Sequence, residues 1–375
     1  MPSSVTISVP GPPVDAGGPE GASGHWAIQP LQGWHLPLLD DPAFLPLQPL
    51  LQRSLLLAVP ERLLTALVHR PPLASEVLVA VRTPASGRHQ LLGLIISRRL
   101  NRSGTSWQVE HLRLSLQTQE DPALPNRHGV AAALLREAIQ RARSATSWIA
   151  TASSLDSTRL AVLREQGFQP QRTDQFWRWQ ADGSAGAAPA VLPTNLQLRS
   201  LNRRSAALLW HLEQATCPAQ LRQLLDRRVE DLLDQSGSRG WLLVDTNRNE
   251  AVAGVRWLAD QPGGGQRVEF TLHPAWLHLL GPAGELLLRR YAAPGSTLWL
   301  LSDVADTARH DWLQRLGAEP QGEQVLMARS VWRRHGPLPA ERAARRIEAV
   351  LEQFQPRRRP LPTPVGPLGS GSAPS

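Results

Sequence analysis

WQVEHLRLSL (107–116), RHGVAAALLREAIQRA (127–142), SWIATAS (147–153) and DSTRLAVLREQGF (156–168) follow one another along one segment of this chain. Their apolar periods differ. Val109, Leu112, Leu114 and Leu116 give the first piece the look of a strand, whereas Val130, Leu134, Leu135, Ala138, Ile139 and Ala142 recur at helical spacing. Asn126 stands where a helix N-cap belongs, and Gly129, in the first turn, lets a ligand come close to the backbone. The first N–H groups of a helix have no internal partner and lie at the positive end of its dipole, so this helix start can hold a phosphate. The segment therefore predicts strand, anion-binding helix, strand, helix, and a closing Gly167-Phe168.

That order resembles the acetyl-CoA-dependent N-acyltransferases of the GNAT superfamily. Their pyrophosphate loop reads Gln/Arg-x-x-Gly-x-Gly/Ala, and the positions here are Asn126, Arg127, His128, Gly129, Val130 and Ala131, with Asn departing from the pattern. A later family segment, Asn-x-x-Ala-x-x-x-Tyr-x-x-x-Gly-Phe, aligns with 156–168. There Asp156, Arg159 and Leu163 replace Asn, Ala and Tyr. The resemblance implies an α/β fold with a mixed sheet, acyl-CoA as co-substrate lying in a splay between 107–116 and 147–153, and no metal. It also implies a backbone N–H near Leu114 or Ser115 that polarises the thioester, and charge from Arg127 and His128 at the pyrophosphate. Glu110 is the candidate base that takes the proton of the attacking amine, with His111 as runner-up. Strand alternation predicts that these two neighbours face opposite sides of the sheet. The family's Tyr protonates the departing thiolate; Leu163 stands there, and the chain's one tyrosine, Tyr291, lies elsewhere.

Working outward, 1–24 reads as a disordered leader and 25–180 as a first domain. Within that domain a strand at 26–31, helical patterns over 43–69, and a hairpin of 75–83 with 90–97 precede the segment above. A final strand pair at 169–170 and 175–180 follows it. Residues 181–194, ADGSAGAAPAVLPT, read as a linker. The plan then repeats over 195–335: a strand at 196–201, helices at 204–215 and 218–236, a hairpin of 240–246 with 250–258, and RVEFTLHP (267–274) matching QVEHLRLS (108–115). Asp156 and Asp306 stand 150 residues apart, as do Gly167 and Gly317, whereas Glu110 and Glu269 stand 159 apart. The best explanation is two copies of one domain. The second copy is degenerate for coenzyme: its helix near 279–292 carries Gly281 and Gly284, but Pro282 removes a donor and Glu285 brings negative charge. A tail follows from 336, with an amphipathic helix over 340–354.

Composition sets outer limits. The 375 residues suit two domains, and 42% hydrophobic content supports real cores. A net charge of +8, all of its cations arginine, permits acidic partners. A solvated arginine surface is the preferred reading, so nucleic acid is the weakest of the partner readings. One cysteine, Cys217, excludes an intramolecular disulfide, and a structural thiol is preferred to a catalytic one. His273 and His278 lack metal-site spacing. Trp177 and Trp179 should share one face of a strand, packing in a core. No apolar run reaches membrane length and 1–24 lacks signal-peptide features, so a cytoplasmic protein is expected. The function expected is transfer of an acetyl or other acyl group to an amine, on a small molecule or a protein N-terminus. A catalytically inactive tandem scaffold is the alternative.

Overall fold

The structure, a computed structural model, describes residues 5–6, 25–52, 54–56, 75–83, 89–116, 126–181, 192–237, 239–261 and 264–330. Every described residue belongs to one compact unit within residues 1–331. Most of the leader 1–24, the helical pattern from 57 to 69, most of the linker, and the tail with its 340–354 helix lie outside the described residues.

Strands β1 (Val5–Thr6), β2 (His25–Pro30), β3 (Glu76–Thr83), β4 (Gln90–Arg99) and β5 (Ser106–Leu114) run antiparallel in sequence order. Helix α1 (Arg127–Arg141) then crosses to β6 (Ser147–Ser153), which lies parallel to β5. Helix α2 (Ser157–Glu165) and strand β7 (Gln169–Gln180) complete the first copy. The second copy has β8 (Leu196–Ser200), helices α3 (Ala206–Thr216), α4 (Ala219–Leu225) and α5 (Val229–Ser236), then β9 (Gly240–Asp245), β10 (Glu250–Asp260) and β11 (Gln266–Leu272). Helix α6 (Pro282–Tyr291), β12 (Thr297–Asp303), α7 (Thr307–Arg315) and β13 (Glu319–Ser330) end it. The expected mixed α/β sheet with helices on both sides is observed. Leu78 and Ala80 face the core under α1 and α2, while Val77, Val79 and Val81 face the opposite layer with Phe44, Leu47 and Leu51.

All strands join one 13-stranded sheet in the order β1-β2-β3-β4-β5-β6-β13-β7-β12-β11-β10-β9-β8. The order shows that the two copies exchange their last strands. β13 pairs with β6, from Gln324↔Ser153 to Ser330↔Ser147, and β7 pairs with β12, from Thr297↔Gln180 to Asp303↔Asp174. The side chains follow. Met327 is buried in the first copy's core, whereas Trp177 and Trp179 are buried in the second copy's. Trp177 Nε1 donates to Ser302 Oγ at 2.8 Å and Trp179 Nε1 to the Leu316 carbonyl at 3.2 Å. Each apolar core is therefore closed by a strand from the other copy.

Two details differ from the sequence reading. The final strand pair at 169–170 and 175–180 is one continuous strand, because its partners lie in the other copy and no hairpin is needed. The expected helix 218–236 is broken after Leu225, where Asp226 takes the left-handed conformation (φ 44°). The break serves docking: Asp226 accepts from Thr105 Oγ1 at 2.7 Å, and its carbonyl accepts from Asn101 Nδ2 at 3.0 Å.

Candidate functional site

The start of α1 is open. Asn126 Oδ1 accepts from the His128 N–H at 3.0 Å and the Asn126 carbonyl accepts from the Val130 N–H at 3.1 Å, so this residue is the N-cap. The Gly129 N–H is left without a partner among the described residues, and a Cβ built on exposed Gly129 would meet nothing within 4 Å. His128 Nε2 lies 2.7 Å from Glu165 Oε2, which ties the helix start to the end of α2. Arg127 is the first helical residue, and Val130 and Ala131 turn inward to the core. The equivalent turn of α6 is filled. A Cβ on Gly284 would stand 2.9 Å from the Leu279 carbonyl oxygen and 3.1 Å from the Trp312 ring. That glycine permits packing against the 3₁₀ turn Pro274–Leu279; it does not make room for a ligand. Glu285 in this turn pairs with Arg289 at 2.8 Å.

Between β5 and β6 the parallel pairing runs from Ser106↔Ser147 to Val109↔Ala150 and stops, so the strands part beyond Val109. β11 and β12 pair only at Gln266↔Leu298 and Arg267↔Trp299 before parting likewise. Strand N–H groups alternate in direction. The Ser115 N–H donates to the Leu92 carbonyl of β4 at 2.9 Å, so Leu114 directs its own N–H away from β4, into the gap. Ser115, expected as an alternative donor, is corrected on this ground: its N–H is engaged, and its hydroxyl bonds Asp41 at 2.5 Å.

The expectation that Glu110 and His111 face opposite sides is overturned. Register slips between Ile96↔His111 and Ser97↔Val109, which leaves Glu110 as the extra residue of a β-bulge. Val109 and Leu112 remain in the core under α1, while Gln108, Glu110, His111 and Arg113 all line one cavity on the other face. This cavity, of about 720 Å³, extends from the first copy's splay to the second's. Glu110 accepts from Ser75 Oγ at 3.0 Å and lies 2.9 Å from Arg98 Nε. Burial lowers the His111 imidazole below its ordinary 6.5; Glu110 pulls it up, and Arg113 and Arg159 push it further down. His111 is therefore neutral near pH 7, with a nitrogen able to accept a proton.

Glu269, the second copy's counterpart of Glu110, is engaged by an arginine. Arg256, 1% exposed, bonds it and also pairs with Glu213 at 2.9 Å; Arg227 reaches Glu213 at 3.2 Å. Burial by itself would raise Glu269, but Arg256 and Arg227 outweigh it and hold the carboxylate ionised. The splay of that copy is occupied as well: Arg309 of α7 pairs with Asp306 at 3.1 Å and donates to the Phe270 carbonyl of β11 at 3.1 Å. Arg309 and its equivalent Arg159 were visible in sequence only as a D-x-x-R pattern repeated after 150 residues. Cys217 lines the cavity, and burial raises its thiol, so it is a protonated, poor nucleophile. Burial raises the Tyr291 phenol to about 12, and its hydroxyl bonds Gln266 at 2.9 Å. Among the described residues no group of three metal-ligating side chains exists, and no helix is long and apolar enough to cross a membrane.

No family model and no curated protein sequence matches the chain. Solved structures do. A candidate acetyltransferase from Pyrococcus horikoshii aligns with a TM-score of 0.50 at 8% identity, over 81% of this chain and 89% of that one. A tandem GNAT protein from the clavulanic acid biosynthesis pathway aligns with a TM-score of 0.49 at 16% identity, over 81% and 98%. A GCN5-related N-acetyltransferase from Sphaerobacter thermophilus gives 0.46 at 15%, over 69% and 82%. The chain has two GNAT folds in tandem.

Proposed function

We propose that this protein is an acyl-CoA-dependent N-acyltransferase with one coenzyme site per chain, in the first copy. The observation that carries the reading is the contrast between the copies. The first has an open helix start at Gly129, an open splay, and a neutral imidazole in the adjoining cavity. In the second, the turn at Gly284 is packed, Arg309 bonds a β11 carbonyl in the splay, and Arg256 ties up Glu269.

Acyl-CoA supplies an acyl carbon activated as a thioester. Asn126 to Ala131 would hold its pyrophosphate at the positive end of α1. The Leu114 N–H would donate to the thioester oxygen as it gains charge. His111 takes the proton of the acceptor amine, and Glu110 beside it stabilises the imidazolium that results. The amine nitrogen then bonds to the acyl carbon as the carbon–sulfur bond breaks. The thiolate takes a proton from water, since Leu163 stands where a tyrosine acid would. Leu163 is also the residue that favours the second reading, a tandem scaffold without turnover.

Titration calorimetry with acetyl-CoA, followed by an amine screen that reads thiol release, tests both. One site per chain with turnover supports the enzyme, and one site with no turnover on any amine supports the scaffold. No binding overturns both.

A further inference from the structure

Four of the guanidinium groups lining the cavity have carboxylate partners. Arg98 faces Glu110 at 2.9 Å, Arg172 faces Asp174 at 2.8 Å, Arg227 faces Glu213 at 3.2 Å, and Arg309 faces Asp306 at 3.1 Å. Arg113, Arg159 and Arg267 line the same cavity with no side-chain hydrogen bond or ion pair among the described residues. The Nε atoms of these arginines other than Arg113 are buried without a well-formed hydrogen bond, and for Arg159 and Arg267 no ion pair offsets this. A buried donor without an acceptor is costly, and more so when it carries charge.

The contrast with the second copy isolates Arg159. Its equivalent, Arg309, occupies the same turn of the same helix and is anchored at both ends, to Asp306 and to the Phe270 carbonyl. Arg159 has neither anchor. Asp156 Oδ1 instead caps the Arg159 backbone N–H at 2.9 Å. Burial and the Arg113 charge push the Arg159 guanidinium down, against a smaller opposing pull from Asp156, and Arg113 and Arg159 both depress the His111 imidazole. Two cations thus converge beside the proposed proton acceptor, whereas the second copy's Arg309 is given a carboxylate and a carbonyl.

We propose that Arg159 and Arg113 bind a substrate carboxylate next to the reacting acyl carbon. A planar guanidinium matches a carboxylate in a two-bond fork. The carboxylate belongs either to the acyl chain, as in a dicarboxylic acyl-CoA, or to an acceptor that carries both an amine and a carboxylate. This inference rests on the acyl-transfer reading for its location and gives that reading a substrate class.

Calorimetry on the full chain separates the two sources. Succinyl-CoA is compared with acetyl-CoA for an acyl-borne carboxylate, and N-acetylglycine with N-acetylglycinamide for an acceptor-borne one. In one of the two pairs the carboxylate-bearing member should bind about 10- to 100-fold more tightly, the size of a charge-assisted pair. Arg159→Met should erase that preference and Arg159→Gln should weaken it strongly. Without ligand, Arg159→Met should hold or raise the melting temperature, because an unpaired charge leaves a half-buried site. No preference in either pair, or a preference that survives both variants, overturns the inference. A lowered melting temperature for both variants, with the preference intact, assigns Arg159 a structural role. Acetyl-CoA that binds without any carboxylate preference removes only this inference. Acetyl-CoA that fails to bind removes the parent reading, and the N-acetylglycine pair still decides the carboxylate site.

Discussion

Changing Gly129 to Glu should uncouple coenzyme binding from folding. A Cβ at this position has nothing within 4 Å to strike, so the variant should fold without repacking. It places a carboxylate at the third position of α1, whose first turn carries no acidic residue. There the dipole favours it by about 0.3–1 kcal/mol, and replacing a helical glycine adds a gain of similar size. The melting temperature should stay level or rise. A pyrophosphate at the same turn would meet the new charge at roughly 6 Å. Even with the full screening of bulk water, two such repulsions at roughly 6 Å cost about 1.4 kcal/mol, or roughly tenfold in affinity, before any steric term. The mirror variant, Gly284→Glu, should do the opposite. Its Cβ would lie 2.9 Å from the Leu279 carbonyl oxygen, so overpacking should cost about 1–3 kcal/mol or more of stability. Calorimetry with acetyl-CoA and thermal melts on both variants read the two effects separately. Wild-type affinity in Gly129→Glu, or two equivalent acetyl-CoA sites in the parent chain, would refute the reasoning.

Replacing His111 with Gln should lower kcat by about 10²–10⁴-fold. It should also remove an acid limb in kcat/KM lying below the ordinary 6.5, since burial depresses this imidazole and only its neutral form accepts a proton; an unchanged profile would remove His111 from the reaction. Glu110→Gln should lower kcat less while sparing acetyl-CoA affinity, and equal or greater damage would return the base role to Glu110. Expressed separately, residues 1–181 and 192–375 should each fail to unfold cooperatively, and together they should recover one transition, because Trp177, Trp179 and Met327 each complete the other copy's core; a cooperative melt of either half alone contradicts this. Arg256→Met should destabilise by about 3–5 kcal/mol in urea melts, since it strips the buried Glu213 of one guanidinium; a loss below about 1 kcal/mol would show that Arg227 alone suffices for Glu213.

Much of this architecture is local and therefore legible in the chain. The 127–142 period gives α1, Asn126 caps it, and the continuous apolar runs at 77–81 and 91–96 give β3 and β4. The repeat was legible too, because Asp156 and Asp306 both cap helices that end in a left-handed glycine, Gly167 and Gly317, each with φ 82°. What the chain could not disclose is pairing between distant strands of equal length at equivalent places in the two copies, Gln169–Gln180 and Glu319–Ser330. A strand that fits one copy's edge also fits the other's, so local propensity does not choose between self-pairing and exchange. The apolar faces of Trp177, Trp179 and Met327 make that choice only once both cores exist. The same holds for the site. Sequence supplied Glu110 and His111 as neighbours, and alternation separated them; a one-residue slip against β4, set by packing across the sheet, turned both into the cavity. Sequence likewise gave each copy an arginine after its capping aspartate, and only the tertiary structure anchored Arg309 while giving Arg159 no side-chain partner among the described residues. Residue type and period act within a few turns of chain, whereas charge partners, register and the exchange of strands are decided by which surfaces meet.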